Sequence, residues 1–302
     1  MPLTDYPSVL RHFKDYIRAS GGLFELKKAL DWSVWYAYKW WREVKEAGAA
    51  DLRNSFVKAL YTSLLARGVI HEDGRLGKEL EKPEMPKGLY AREWVEMHQR
   101  FDELGAVKIA TNQVDRNALE LFHSDIHLQG WHKIMIGAFL KATGFSGGLS
   151  VLEPLSGEGY LATLVYSEYT PSLYLGFHPN PSLVELSRKM VKNAQFVVAN
   201  SSCEVKGSYD VVLLLEKLHL FTDPATELKC IREILKPGGK LYIAQPVVES
   251  MPGYLAIHAA AAVSHINVFT WKEVEQLLEM AFVLHRRLIK AMPFYGAVWK
   301  RG

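Results

Sequence analysis

Ile231-Arg232-Glu233-Ile234-Leu235-Lys236-Pro237-Gly238-Gly239-Lys240-Leu241 reads as the end of a helix, a sharp turn and the start of a strand. Ile231, Ile234 and Leu235 share one helical face. Pro237 has no N–H with which to continue a helix, and Gly238-Gly239 lets the backbone reverse. Backwards from this turn, Thr226 to Leu235 is the helix. Before it, Tyr209 to Leu215 is the uninterrupted apolar run of a strand buried on both faces. Forwards, Lys240 to Ala244 is the next strand. The alternation extends both ways: strands at 150–155, 172–177 and 196–199, with helices starting at Gly159 and Ser182 between them. A helix from Thr270 to Met280 and late strands near Val283 to Ile289 and Gly296 to Trp299 follow. The pattern implies an α/β fold with a Rossmann-like, doubly wound, mostly parallel sheet. Ligands of such sheets bind beyond the carboxyl ends of the strands, so the loops after Leu152, Phe177, Val198 and Leu215 are where function is expected.

Upstream the chain changes character. Glu25 to Glu46 reads as one helix with Trp32, Trp35, Tyr36 and Trp40 in one stripe and Val34, Tyr38 and Trp41 in another. So wide an apolar face needs cover on two sides, from this domain's own core or from a second subunit. Leu52 to Gly68 is a further helix. Asp73-Gly74 between short apolar flanks then signals a hairpin, which together suggest a winged-helix-like unit. Lys82-Pro83-Glu84-Met85-Pro86-Lys87-Gly88 is a linker. The expected division is 1–88 helical and winged-helix-like, 89–145 connecting helices, and 146–302 the Rossmann-like domain. Connecting helices run from Ala91 to Ile109 and from Arg116 to Ala142. The second places Glu120, His123 and His127 on one face, with His132 further on. That spacing can seat a metal, but the expectation here is histidines lining a substrate cavity and no metal.

Composition narrows the class. In 302 residues, 49% are hydrophobic and 23% charged, the mixture of a globular protein with room for two cores. No apolar run is long enough for a membrane span, and Met1 to Ser20 lacks the apolar core of a signal peptide. The net charge of +3 is too slight to argue for nucleic acid. Cys203 and Cys230 make neither a disulfide framework nor a zinc spacing, so a reduced, cytoplasmic chain is expected.

Three stretches carry a resemblance: Val151-Leu152-Glu153-Pro154-Leu155-Ser156-Gly157-Glu158-Gly159, Tyr209-Asp210-Val211-Val212-Leu213-Leu214, and the helix, Pro-Gly-Gly turn and strand quoted first. They resemble the acidic and glycine-rich loop, the strand before the catalytic loop, and the following helix–turn–strand of class I S-adenosylmethionine (SAM)-dependent methyltransferases. Leu218-His219-Leu220-Phe221-Thr222-Asp223 resembles more narrowly the segment of plant-type small-molecule O-methyltransferases that carries their catalytic histidine. Phe269-Thr270-Trp271-Lys272-Glu273 resembles the helix start after their substrate loop. The resemblance implies SAM as cofactor, His219 as the base that takes a proton from a substrate hydroxyl, and Asp223 or Glu216 as its orienting partner. It also implies a homodimer formed through the N-terminal helices.

Residue by residue, the resemblance places Glu153, Leu155, Gly157, Gly159, His178, Asn200, Ser201 and Glu216 around the cofactor. His123, His127, His258 and His265 lie on the acceptor side, under a cover formed by Met251 to Asn267. The cofactor pattern departs from the family's mildly at Asn200, where the adenine contact is usually Asp, and more sharply at two places. Leu155 stands where the first loop glycine belongs, and His178 stands where a carboxylate grips the ribose. Two competing functions follow. One is a methyltransferase fold that no longer transfers methyl groups and serves as a scaffold or sensor. The other is a nucleic-acid-associated protein using Lys39, Arg42, Lys45 and Lys58.

Overall fold

The computed structural model describes residues 6–261 and 267–302. Seven helices come first: α1 (Tyr6–Ala19), α2 (Leu23–Glu46), α3 (Ser55–Leu65), α4 (Leu89–Asp102), α5 (Ala106–Ala110), α6 (Arg116–Leu128) and α7 (Gly130–Thr143). The α/β part follows with β1 (Ser150–Glu153), α8 (Tyr160–Glu168), β2 (Leu173–His178), α9 (Pro181–Met190), β3 (Gln195–Val198) and β4 (Tyr209–Leu215). It continues with α10 (Pro224–Ile234), β5 (Leu235–Gln245), α11 (Pro252–Ala261), α12 (Trp271–Glu279), β6 (Val283–Ile289) and β7 (Tyr295–Lys300).

The strands form one sheet in the order β3-β2-β1-β4-β5-β7-β6. The first five are parallel, whereas β7 runs antiparallel between β5 and β6. The order reverses between β1 and β4, which opens a crevice at their carboxyl ends. Period-two alternation along β4 splits its side chains between two cores. Leu213 and Leu215 join the N-terminal aromatics Trp40, Trp94 and Trp131, while Val212 and Leu214 pack with Leu152, Phe177 and Trp299 on the other face. The helical region is therefore packed onto one face of the sheet.

Local chemistry explains the helix ends. Asn54 caps α3 by accepting from the Val57 N–H. Thr270 and Glu273 form a reciprocal capping box on α12. Gly144, at φ 75°, terminates α7 in the left-handed conformation.

Several expectations change. The aromatic faces of α2 are covered inside the chain: Trp32, Tyr38, Trp40 and Trp41 are all buried, against α3, α4, α5 and α11. The hairpin at Asp73-Gly74 is a single bridge between Ile70 and Leu76, not a pair of strands. Both long connecting helices are broken, the first at Gly105 (φ 83°) and the second at Gln129-Gly130. Cys203 and Cys230, expected to be separate thiols, are a disulfide with Cα atoms 5.0 Å apart. The turn at 202–204 docks on α10, where Glu227 also accepts from the Ser202 N–H, and this tertiary contact is invisible in the cysteine spacing. Two of the four cations assigned to nucleic acid are in ion pairs: Lys39 with Asp102 and Glu43, and Arg42 with Glu46. No helix among the described residues is long and apolar enough to cross a membrane.

Candidate active site

The crevice begins at Glu153, the fully buried last residue of β1. One carboxylate oxygen accepts from Lys217 Nζ at 2.5 Å and the other from Tyr174 Oη at 2.7 Å. A buried carboxylate needs such partners, and here they leave it as half of a buried ion pair. The chain then turns through Leu155 at φ 52°, Gly157 at 54° and Gly159 at 81°. Leu155 thus adopts the left-handed backbone that glycine ordinarily supplies, at a cost of about 1–2 kcal/mol. Its side chain packs against the apolar cluster of Leu152 and Phe177. The glycine-type path survives the substitution. The Ser156 N–H donates to the Phe177 carbonyl, Ser187 Oγ donates to the Gly157 carbonyl, and Ser156 Oγ is buried without a partner.

His178 ends β2. Its Nδ1 accepts from the Asn180 N–H at 3.0 Å, so the neutral ring carries its proton at Nε2. Burial, with the Lys217 charge adding to it, pushes its pKa down to about 4. It therefore presents one donor where a carboxylate presents acceptors. Asn200 is exposed, and its backbone N–H and Nδ2 both donate to Glu204. Ser201 Oγ accepts from the Cys203 N–H as the cap of the 202–204 turn.

Beyond β4 lies a cluster of buried histidines. Glu216, at φ 59°, is turned into it. Its Oε1 accepts from Tyr254 Oη at 2.6 Å and its Oε2 lies 2.9 Å from His132 Nε2. Burial raises this carboxyl, but His132 and Tyr254 outweigh burial and hold it below the usual range. His123 Nε2 lies 3.1 Å from His258 Nδ1, and the His219 and His258 rings are 5.6 Å apart. Burial pushes His123 and His219 down to about 4 and drives His127 and His258 well below the usual imidazole range. These four rings are neutral near pH 7.

His219 itself is 3% exposed. Gln245 Nε2 lies 2.9 Å from its Nδ1 and also donates to the Pro246 carbonyl at 3.0 Å. An amide nitrogen can only donate, so Nδ1 is the acceptor and the ring's proton sits on Nε2, which is buried and has no partner. Asp223 is not the partner of His219, because its carboxylate caps α10 by accepting from the Thr226 N–H. Glu216 faces His132 and Tyr254 and makes no hydrogen bond to His219.

The structure thus brings His123, His127, His219 and His258 together, joins Glu216 to them, and places Glu153, Leu155, Gly157 and Gly159 at the mouth of the crevice. His265 lies outside the described residues, as does the side chain of Glu120. Sequence reasoning missed Lys217, Gln245 and Tyr254. Gln245 had a signal: β5 beside β4 in parallel register pairs Leu215 with Ala244, so the next residue of β5 reaches the loop of His219. The acceptor-side helix α11 is tied to the N-terminal helices through Ser33, whose Oγ lies 3.1 Å from His98 Nε2 and accepts from the Gly253 N–H.

The sequence of residues 128–281 matches the family described as "Methyltransferase domain", about half of the chain, from α7 through α12. The chain belongs to the methyltransferase-domain family. This methyltransferase also matches two solved structures along 99% of its own length. One is the CMeT domain of the citrinin polyketide synthase, at 14% identity, TM-score 0.61 and 98% of that chain covered. The other is the CurJ carbon methyltransferase, at 11% identity, TM-score 0.59 and 100% of that chain covered. At these identities the likeness is one of fold, and it extends through the N-terminal helices. No curated protein matches in sequence.

The methyltransferase's cofactor is S-adenosylmethionine, and the residues at the crevice fit it. Glu153 would hold the amino group and Lys217 the carboxylate of its amino-acid moiety, in exchange for part of their pairing with each other. The turn at Leu155 retains the backbone path that lets a cofactor approach. His178 would meet the ribose with one N–H.

Proposed function

We infer that this methyltransferase transfers the methyl group of SAM to a small oxygen-bearing acceptor lying against His219. The observation that carries this is the buried, unpartnered His219 Nε2 in a cluster with His123 and His258, next to the Glu153–Lys217 pair. SAM, when bound, supplies an electrophilic methyl group. The protein supplies placement, which carries most of such a reaction.

Gln245 sets what His219 can do. With its amide donating to Nδ1, the ring offers Nε2–H to an acceptor oxygen and polarises it. The base role that the sequence suggested needs a lone pair at Nε2. Turning the Gln245 amide so that Oε1 accepts from Nδ1–H provides that lone pair, at the loss of the bond to Pro246. The acceptor's proton then passes to Nε2 as the methyl group is taken up. In this reading the N-terminal helices wall the acceptor side and hold α11 through Ser33 and His98. The first acceptor is a hydroxyl. The fold shared end to end with the CurJ carbon methyltransferase favours, as a second reading, a carbon made acidic by an adjacent carbonyl.

The test is incubation with methyl-labelled SAM and a panel of phenols and 1,3-dicarbonyl thioesters, followed by mass spectrometry. Methylation at oxygen supports the first reading and methylation at carbon the second. Undiminished turnover by His219→Ala would remove His219 from either.

A further inference from the structure

We propose that His127, His132 and Glu216 form a metal centre for a divalent first-row transition ion in the histidine cluster. Among the described residues these three place one ligand atom each within 4.8 Å of one another. His132 Nε2 stands 2.9 Å and His127 Nε2 4.0 Å from Glu216 Oε2. Ions of this class bind imidazole nitrogen and carboxylate oxygen at about 2.0–2.2 Å, which puts neighbouring ligand atoms roughly 3 Å apart. His127 has only to close by an ångström-scale movement.

The donor chemistry supports the geometry. Two imidazoles and one carboxylate, with positions left open, is a set that takes Fe, Mn or Zn in preference to Mg or Ca. Glu216 is 2% exposed, and the charge of a carboxylate so deep is normally compensated. Here it has hydrogen bonds from Tyr254 and His132, while Lys217, next in sequence, is engaged by Glu153. Metal binding at His132 Nε2 gives up its hydrogen bond to Glu216 and moves the ring's proton to Nδ1, which is buried without a partner. Tyr160 Oη is also buried and unpartnered, on a ring 6.2 Å from that of His127. The break at Gln129-Gly130 matters here, since it puts His127 and His132 on different helices that converge on one carboxylate.

The three ligands adjoin the other buried histidines, with the His127 ring 4.9 Å from that of His123, so the class of ligand the ion would take is an acceptor carrying oxygen, held and polarised by it. The assignment rests on side chains alone and does not depend on methyl transfer.

The experiment is titration of the chelator-stripped full chain with Co2+ alone, followed by visible d–d absorption. One Co2+ per chain is expected, with a spectrum distinct from the hexaaqua ion. His132→Ala and Glu216→Gln should each weaken binding by about tenfold or more, Glu216→Asp should retain part of it, and the exposed His71→Ala should leave it unchanged. Circular dichroism on each variant separates loss of ligand from loss of fold. Absence of the d–d spectrum in folded wild-type protein, or an unchanged titration in folded His132→Ala, would overturn the proposal.

Discussion

Lys217 Nζ stands 2.5 Å from Glu153 Oε1, so the acidic anchor at the end of β1 is already held by a cation from the loop after β4. The two residues approach because β1 and β4 are neighbours at the reversal of strand order. In the proposed reading, this pair would receive the zwitterionic amino-acid end of the cofactor rather than its amino group alone.

Lys217→Met should therefore act selectively on the amino-acid half of the cofactor. The wild-type chain is expected to bind S-adenosylhomocysteine far better than methylthioadenosine, which lacks the amino-acid moiety. In Lys217→Met that preference should shrink by about tenfold or more, as a charge-assisted contact requires. The variant also leaves Glu153 unpaired, at a cost of about 3–5 kcal/mol in stability. Calorimetry with both ligands, alongside thermal unfolding, checks the two effects separately.

Gln245→Glu tests the tautomer. His219 lies at about 4 because burial outweighs the Glu216 charge. Wild-type turnover should then show no histidine limb between about pH 5 and 8. A carboxylate at 245 accepts from Nδ1–H, frees the Nε2 lone pair and raises the pKa. An acid limb should appear, with the rate falling as pH falls through the new value. A wild-type limb near the ordinary histidine value of 6.5 would contradict the assignment.

Acid should destabilise the fold in a defined window. His98, His123 and His219 each lie at about 4 in the folded state against the ordinary histidine value of 6.5, chiefly through burial. Between these values the unfolded chain binds more protons, so stability rises with pH there. The contribution is complete above about 6.5, is lost progressively down to about 4, and amounts to roughly 3 kcal/mol per histidine as an upper figure. Unfolding midpoints measured from pH 8 to pH 4 should begin to fall near 6.5. A flat profile through that window would contradict the buried, neutral histidines.

Gly176→Ala should damage the cofactor loop from behind. A Cβ there would lie 2.7 Å from the Phe196 ring and 2.8 Å from Ser156 Cβ. Overpacking of this kind costs about 1–3 kcal/mol. Because Ser156 must shift, SAM affinity should fall as well, which equilibrium unfolding and calorimetry together would register.

The sheet was legible because buried parallel strands announce themselves as apolar runs such as Tyr209 to Leu215, with helices between them. Helix continuity was less so. Arg116 to Ala142 keeps its apolar spacing across Gln129-Gly130, and only packing shows that the chain bends there. The same limit applies to the site. His219 could be found from its neighbours in sequence. Its partner Gln245 comes from the adjacent strand, the partner of Glu153 from the loop after β4, and the partner of Cys203 from α10. Leu155 illustrates the same limit. A leucine in a glycine position suggests a blocked loop, yet the backbone holds the left-handed conformation and the side chain packs against the apolar cluster beside it.

The central claim, that the Leu155 loop and the Glu153–Lys217 pair still form a SAM site, is tested most directly by calorimetric titration of the folded chain with SAM and S-adenosylhomocysteine. The account predicts micromolar, one-to-one binding of both, lost in Glu153→Gln. No heat from either ligand with well-folded wild-type protein would contradict it.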